Sequence, residues 1–148
     1  MTIASSPVYL DSSALVKLLI PEAGSDALEA ALRGRTDLIV SDLAITEVAS
    51  IVGRRVRERA MSGDDARRIY RALMGQIADG RLRREELTSE GHRDAENLLI
   101  APGHGVALRA ADALHLAMAL RCGARAVVTY DRRMAEAAAA LGPFEVSP

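Results

Sequence analysis

Short apolar runs alternate with longer segments of helical spacing along the chain, and this alternation constrains the fold more than any other sequence feature. Residues 8–10, 38–40 and 126–129 are apolar runs with the length of buried strands. Between them, apolar residues recur every three or four positions, which is the pattern of helices that bury one face. Short apolar strands joined by helices predict a mostly parallel sheet that is covered by helices on both faces.

Turn and capping residues divide the rest of the chain into further elements. Ser25, Ser41-Asp42 and Ser62 are expected to begin helices, because their side chains accept hydrogen bonds from free N–H groups of a first turn. The helix that begins at Ser25 is expected to end near residue 33, and the helix that begins at Ser41-Asp42 is expected to end near residue 60. The remaining predicted elements are helices over 89–100, 110–121 and 132–141, weaker strands over 84–88 and 144–146, and a loop at 102–105.

The composition indicates one globular domain over residues 1–148. The chain is 49% apolar and has a formal net charge of −1, which is unlike a disordered chain. The same charge balance excludes a strongly basic coat for nucleic acid. A nuclease is not excluded, since a site lined by carboxylates adds negative charge of its own.

Cysteine usage and hydropathy favour a soluble cytoplasmic domain. Cys122 is the only cysteine, so no disulfide can form within the chain, and a reducing compartment is favoured. Residues 1–12 lack the basic start and apolar run of a signal peptide. No stretch approaches the roughly 18 apolar residues of a membrane span, so we expect no membrane association.

Four acidic residues occupy positions near the expected ligand site of a parallel sheet, which lies beyond the carboxyl ends of the strands. Asp11 and Asp131 follow predicted strands, and each has the alternative of capping the next helix. Glu47 and Asp112 lie in helices that are apolar on nearly every side. An ionised carboxylate there costs several kcal/mol unless it is paired or bound to a metal. The alternatives are a salt bridge from Glu47 to an arginine such as Arg54, and a capping role for Asp112.

If these carboxylates meet in one cleft, their repulsion needs compensation. Two carboxylates about 4 Å apart repel by roughly 4 kcal/mol at an effective dielectric constant near 20. Protons, arginines or a divalent cation would offset this, and oxygen-only ligands are typical of Mg²⁺ and Mn²⁺. Such an ion activates water for attack on a phosphodiester. Ser13 and Thr129, each two residues from an acid, are candidates to orient the carboxylates, with ordinary capping or sheet hydroxyls as the alternative.

Four segments in order resemble the motifs of PIN-domain ribonucleases: YLDSSALVK at 9–17, TEV at 46–48, ADALHLA at 111–117 and TYD at 129–131. The length and the first segment are closest to the VapC-type toxins of bacterial toxin–antitoxin pairs. The resemblance implies a three-layer α/β/α sandwich, Mg²⁺- or Mn²⁺-dependent cleavage of RNA, and a homodimer that a cognate antitoxin neutralises. The residues that match the acidic quartet and the polar accessories of the family are Asp11, Glu47, Asp112, Asp131, Ser13 and Thr129.

Two other functions are compatible with the sequence. An aspartyl-phosphate phosphatase also has an Asp after its first strand, but its chemistry generally needs a second Asp two positions on, where this chain has Ser13. A non-catalytic PIN-fold module that binds RNA or protein would leave the repulsion among the acids uncompensated. His115 is interpreted as a buried or cleft-wall histidine, with a general base as the alternative. The arginines at 54–59 and 81–84 are interpreted as solvated, with phosphate binding as the alternative.

Overall fold

The computed structural model describes residues 2–101 and 105–147, and these ranges contain five strands and seven helices. The strands are β1 (Val8–Leu10), β2 (Leu38–Ser41), β3 (Arg83–Glu85), β4 (Ala126–Val128) and β5 (Glu145–Ser147). The helices are α1 (Ser12–Leu19), α2 (Ser25–Leu32), α3 (Asp42–Arg57), α4 (Gly63–Ala78), α5 (Ser89–Ile100), α6 (Ala110–Arg121) and α7 (Arg132–Leu141).

The five strands form one sheet in the order β3-β2-β1-β4-β5, and each neighbouring pair is parallel. Val8 lies opposite Leu38 on one side and opposite Ala126 on the other, so the three central strands are aligned. Parallel neighbours require crossover connections, which the helices provide. The predicted three-layer α/β/α sandwich around a mostly parallel sheet of about four or five strands is confirmed.

Alternate side chains of the central strands face two separate layers of helices. Val8, Leu10 and Val40 pack into a core with α1, α2, α3 and α4. Tyr9 and Ile39 point to the other face, where they pack against α6 and α7. Because successive strand residues point to opposite faces, a strand covered on both sides is apolar at every position. This explains the continuous apolar runs in the sequence.

The carboxyl ends of β1 and β4 meet where the strand order reverses. From β1 the chain continues to β2 and β3 on one side of the sheet, and it then crosses to β4 and β5 on the other side. In open α/β sheets such a reversal creates a crevice that binds ligands. Asp11 follows β1, and its N–H donates to the carbonyl of Val128 at 3.3 Å. The ends of the two strands are therefore held side by side.

Three predicted features differ from the structure by more than one residue or in the residue that caps a helix, and the predicted strands at 38–40, 126–129 and 144–146 differ by one residue. α3 ends at Arg57 rather than near residue 60, and β3 spans Arg83–Glu85 rather than 84–88. β3 lies at the edge of the sheet, where backbone pairing with β2 suffices, so its charged side chains gave little strand signal. Ser25 does not cap α2, because Gly24, with φ of 88°, takes that position. The Ser25 hydroxyl instead donates to the Lys17 carbonyl at 2.7 Å.

The later helices begin and end as the sequence predicts. The bounds of α5, α6 and α7 match the predicted 89–100, 110–121 and 132–141. Most of the predicted loop at 102–105 lies outside the described residues. Within the described part of the chain, none of the helices has the length and hydropathy needed to cross a bilayer.

Candidate active site

Asp11 is held at the carboxyl end of β1 by three hydrogen bonds. Its Oδ1 accepts from the Ser13 hydroxyl at 2.7 Å and from the Ala14 N–H at 2.9 Å. Its Oδ2 accepts from the Thr129 hydroxyl at 2.6 Å. The Ala14 contact makes Asp11 the N-cap of α1, as one alternative expected. The two hydroxyls approach from α1 and from the end of β4, so they fix the carboxylate between these elements.

The surroundings of Asp11 act on its pKa in opposite directions. Asp11 is 3% exposed, and this burial raises the pKa of its carboxyl. The three hydrogen bonds oppose the effect of burial, because they stabilise the ionised form. The Ser13 hydroxyl oxygen itself accepts from the Tyr130 N–H at 2.7 Å, and that of Thr129 accepts from the Asp131 N–H at 3.0 Å. Both hydroxyl protons are therefore available to Asp11.

Glu47 enters the site from α3 and contacts His115 of α6. Its Oε2 lies 2.8 Å from Nε2 of His115, and the two side chains are 29% and 4% exposed. Burial raises the pKa of the Glu47 carboxyl, but hydrogen bonds with His115 and Ser12 outweigh it, so the net shift is downward. The apolar sequence around Glu47 is only partly buried in α3, since Ser50 and neighbouring residues are exposed. The alternative pairing with Arg54 is wrong, because the partner of Glu47 is a histidine from the other helical layer.

His115 is a buried histidine in the wall of the site, as interpreted from the sequence. Its Nδ1 lies 2.8 Å from the hydroxyl of Tyr9 on β1, and that hydroxyl lies 2.7 Å from the hydroxyl of Ser41. The Ser41 hydroxyl caps α3 by accepting from the Ala44 N–H at 3.3 Å. A row of buried polar groups thus connects the start of α3 to Glu47 on the same helix.

Asp112 and Asp131 lie at the amino ends of α6 and α7. Asp112 is buried, and its Oδ2 accepts from the Arg109 N–H at 3.3 Å. Asp131 is exposed, and its Oδ1 accepts from the N–H groups of Arg133 at 2.8 Å and Met134 at 3.3 Å. The capping alternatives are therefore correct for one oxygen of each residue. These caps use Oδ2 of Asp112 and Oδ1 of Asp131.

All four carboxylates line one small cavity of about 90 Å³. Its lining consists of Asp11, Ser12, Ser13, Glu47, Ala111, Asp112, His115, Asp131 and Met134, with no arginine or lysine among them. A water needs roughly 10–15 Å³ of such volume, so an ion with a few waters fits and a nucleotide does not. A larger cavity of about 410 Å³, beside Leu38 and Leu82, contains none of the four acids.

The donors of the small cavity suit a cation that prefers oxygen. Carboxylates and hydroxyls are the ligands of Mg²⁺ and Mn²⁺, whereas a zinc site would favour nitrogen and sulfur. Within residues 2–101 and 105–147, no three His, Cys, Asp or Glu side chains lie close enough together to hold an ion as they are oriented. Asp112 directs one oxygen at the N–H of Arg109, the N-cap of α6, and Asp131 directs one at two N–H groups in the first turn of α7.

The profile of the family described as PIN domain matches residues 8–140, a range that includes all four acids. The chain belongs to the PIN-domain family. Ribonuclease VapC46 of Mycobacterium tuberculosis is 36% identical over 143 residues, which are 95% of this chain and 97% of that protein. Ribonuclease VapC35 of the same organism is 38% identical over 145 residues, which are 95% of this chain and 96% of that protein. The resemblance to PIN-domain proteins of the VapC type is confirmed.

Solved structures of other proteins share the fold of this PIN-domain chain. The crystal structure of Mycobacterium tuberculosis VapC20, described as a sarcin-ricin loop cleaving toxin, superposes with a TM-score of 0.68. It is 16% identical, and the match covers 88% of this chain and 94% of VapC20. FitAcB from Neisseria gonorrhoeae gives a TM-score of 0.61 at 19% identity, covering 95% and 96% of the two chains. At these identities the likeness establishes the fold.

Sequence reasoning located the four acids but missed the hydrogen-bond partner of Glu47. Asp112 and His115 are three residues apart on α6, a spacing that puts both on one side of a helix. That spacing was the available signal that His115 faces the same cleft. The spacing alone does not identify Glu47 as the partner of His115, because nothing in the sequence indicates that α3 approaches α6 from across the sheet.

Proposed function

We propose that this chain is a metal-dependent endoribonuclease and the toxin of a toxin–antitoxin pair, acting as a single nuclease domain. The observation that carries the proposal is the cavity that four carboxylates line without any arginine or lysine. Carboxylates that share a cavity without a basic residue repel one another, so a cation is the expected compensation. The relatives named ribonuclease VapC support RNA as the substrate.

Asp11, Glu47, Asp112 and Asp131 are the residues that would hold Mg²⁺ or Mn²⁺. When bound, such an ion supplies an activated water and neutralises charge that develops on the phosphodiester. The protein's own contribution is orientation. Ser13 and Thr129 donate to the two oxygens of Asp11 and keep it turned to the cleft, and His115 restrains Glu47.

RNA is expected to lie across the mouth of the cavity, because the cavity is too small for a nucleotide. Arg54 follows Glu47 by seven residues, so it lies on the same side of α3, about 10 Å further along the helix axis. It is exposed, and it forms no ion pair with other residues in the described ranges. Arg55 and Arg84 are engaged by Glu22 and Asp42, respectively. Arg54 is therefore our candidate for a phosphate contact beside the site.

The proposed partners follow from the family assignment. VapC20 is described as a toxin that cleaves the sarcin-ricin loop, and we propose a structured RNA as the substrate class here. A cognate antitoxin would neutralise the activity, and a homodimer in the cytoplasm is the proposed form of the protein. Size-exclusion chromatography with light scattering tests the dimer directly.

The experiment that tests the function measures cleavage of structured RNAs by the purified protein with Mg²⁺, Mn²⁺ or EDTA. We expect cleavage with either ion, none with EDTA, and at least a 100-fold loss in Asp11→Asn. The matched control is Glu90→Gln, which neutralises an exposed carboxylate on α5. Cleavage that survives both EDTA and Asp11→Asn would refute the mechanism.

Calorimetry with MnCl₂ separates the enzyme from the non-catalytic alternative. A nuclease of the proposed kind binds the ion at millimolar concentration or below, and Asp11→Asn weakens that binding. RNA binding without cleavage and without ion binding would identify the chain as a non-catalytic RNA-binding module. The family assignment argues against the phosphatase alternative, as does Ser13 in place of the second Asp.

A further inference from the structure

The buried polar row that ends at Glu47 has one consistent direction of hydrogen bonding. It consists of Ser41, Tyr9, His115 and Glu47, and we call it the Ser41–Glu47 chain. The Ala44 N–H at its start can only donate, so the Ser41 oxygen accepts there. The described part of the protein gives the Ser41 proton one acceptor, the Tyr9 oxygen at 2.7 Å. Tyr9 then donates its own proton to Nδ1 of His115 at 2.8 Å.

The direction of the chain determines which nitrogen of His115 carries a proton. Since Nδ1 accepts from Tyr9, the proton of the neutral ring is on Nε2, and Nε2 donates to Glu47 Oε2 at 2.8 Å. If the hydrogen bonds ran in the opposite direction, the Ser41 proton would have no acceptor in the described part of the protein. This would be costly, because Ser41 is 0% exposed and water does not reach it. The neutral ring would then also turn a lone pair toward a carboxylate. Burial raises the pKa of the Tyr9 phenol, so it remains a donor.

We propose that the Ser41–Glu47 chain is a positioning device that holds the Glu47 carboxylate in the cleft through the Nε2–H of His115. This inference rests on the proposed function only for its effect on catalysis. The Glu47 side chain is partly exposed, and a long side chain in such a position has several rotamers. His115 and Tyr9 are almost fully buried and packed edge to face, with ring centroids 5.9 Å apart. They therefore give the flexible acid a rigid partner, as supporting residues do around metal ligands.

The first test reads the tautomer of His115 in the wild-type protein. Long-range ¹H–¹⁵N NMR spectra distinguish a ring protonated on Nε2 from one protonated on Nδ1. We expect the Nε2–H form, and we expect its signals to shift in Tyr9→Phe, which removes the donor to Nδ1 and keeps the aromatic core. An Nδ1–H ring would overturn the proposal. This measurement does not depend on whether the protein cleaves RNA.

The second test measures Mn²⁺ affinity by calorimetry and RNA cleavage in matched variants. Tyr9→Phe is expected to weaken both the ion affinity and kcat by about 10-fold, with little change in KM. Tyr70→Phe is the control, because it removes an exposed hydroxyl from α4. A Tyr9→Phe protein that matches Tyr70→Phe in both readouts would overturn the positioning role.

Replacement of His115 separates positioning from packing. His115→Gln keeps an N–H donor directed at Glu47, whereas His115→Met fills similar space without a donor. We expect Gln to retain most of the ion affinity and kcat that Met loses. Equal losses in the two variants would assign His115 to packing and contradict the proposal. If the wild-type protein cleaves no RNA, the proposed function fails, but the tautomer and ion-binding results still decide the role of the Ser41–Glu47 chain.

Discussion

Replacing Thr129 by valine removes one hydroxyl between β4 and Asp11 and keeps the shape of the side chain. Thr129 is 1% exposed, and its hydroxyl donates to Asp11 Oδ2 at 2.6 Å. A hydrogen bond to a carboxylate contributes about 1.5–3 kcal/mol when the carboxylate is ionised. The Asp131 N–H also loses an acceptor, but Asp131 is exposed, so water replaces that contact. We therefore expect a loss of about 2 kcal/mol in the free energy of unfolding.

Urea unfolding at neutral pH measures this loss, and thermal unfolding is expected to show a Tm lower by about 6 °C for a chain of this size. Thr129→Ser is the matched control, because it keeps the hydroxyl. The hydrogen bond favours ionised Asp11, so the difference between Thr129→Val and wild type should shrink as the pH falls and Asp11 becomes protonated. A double-mutant cycle with Asp11→Asn should give a coupling of at least about 1 kcal/mol. A valine variant within about 0.5 kcal/mol of wild type, or additive effects in the cycle, would refute the reasoning.

Three further predictions concern single polar side chains. Asp131→Asn is expected to keep the cap of α7 and the free energy of unfolding but to lose RNA cleavage. Asp131→Ala is expected to lose cleavage and also about 1 kcal/mol of the free energy of unfolding. An Asn variant with wild-type cleavage would exclude a catalytic role for Asp131. Lys17→Met removes the hydrogen bond from Lys17 Nζ to the Ala23 carbonyl, which is 2.7 Å long. We expect it to lower the free energy of unfolding, measured by urea denaturation, by about 1–2 kcal/mol. An unchanged urea midpoint would contradict this. Arg35 holds the pKa of Asp37 below its usual 3.8. The stability that ionised Asp37 contributes is therefore present above about pH 3.8 and is lost as the pH falls through the lowered pKa. Urea unfolding between about pH 6 and pH 3 should show a smaller acid loss in Asp37→Asn, and an identical loss would contradict the assignment.

The elements of the fold were predictable because their signals are local. The central strands could be predicted because they are apolar at every position. Both faces of the sheet are covered, so both sets of side chains are buried. β3 was predicted less accurately, because an edge strand is held by backbone hydrogen bonds that charged residues such as Arg83 also make. Gly24 took the capping position expected of Ser25 because a left-handed backbone at that turn favours glycine.

The candidate acids were predictable, but most of their contacts were not. Asp11 and Asp131 follow strands, and the carboxyl ends of parallel strands share one edge of a sheet, so their proximity followed from strand order. The predicted catalytic and metal-binding roles of the quartet, and the orienting role of Ser13 and Thr129, stay predictions. The contact of Glu47 with His115 joins residues 68 positions apart. The spacing of apolar residues along a single sequence does not indicate such a distant pair.

The sequence by itself determined the elements, the parallel sheet and the acids available at its edge. These properties depend on burial and on backbone geometry, which repeat along the chain every two or every three to four residues. Only the tertiary structure decided that Thr129 meets Asp11 across 118 residues, that no arginine lines the small cavity, and that His115 rather than Arg54 restrains Glu47. Polar contacts of this kind depend on the packing of helices from opposite layers, to within about an ångström, and hydrophobic patterning does not encode distances at that scale.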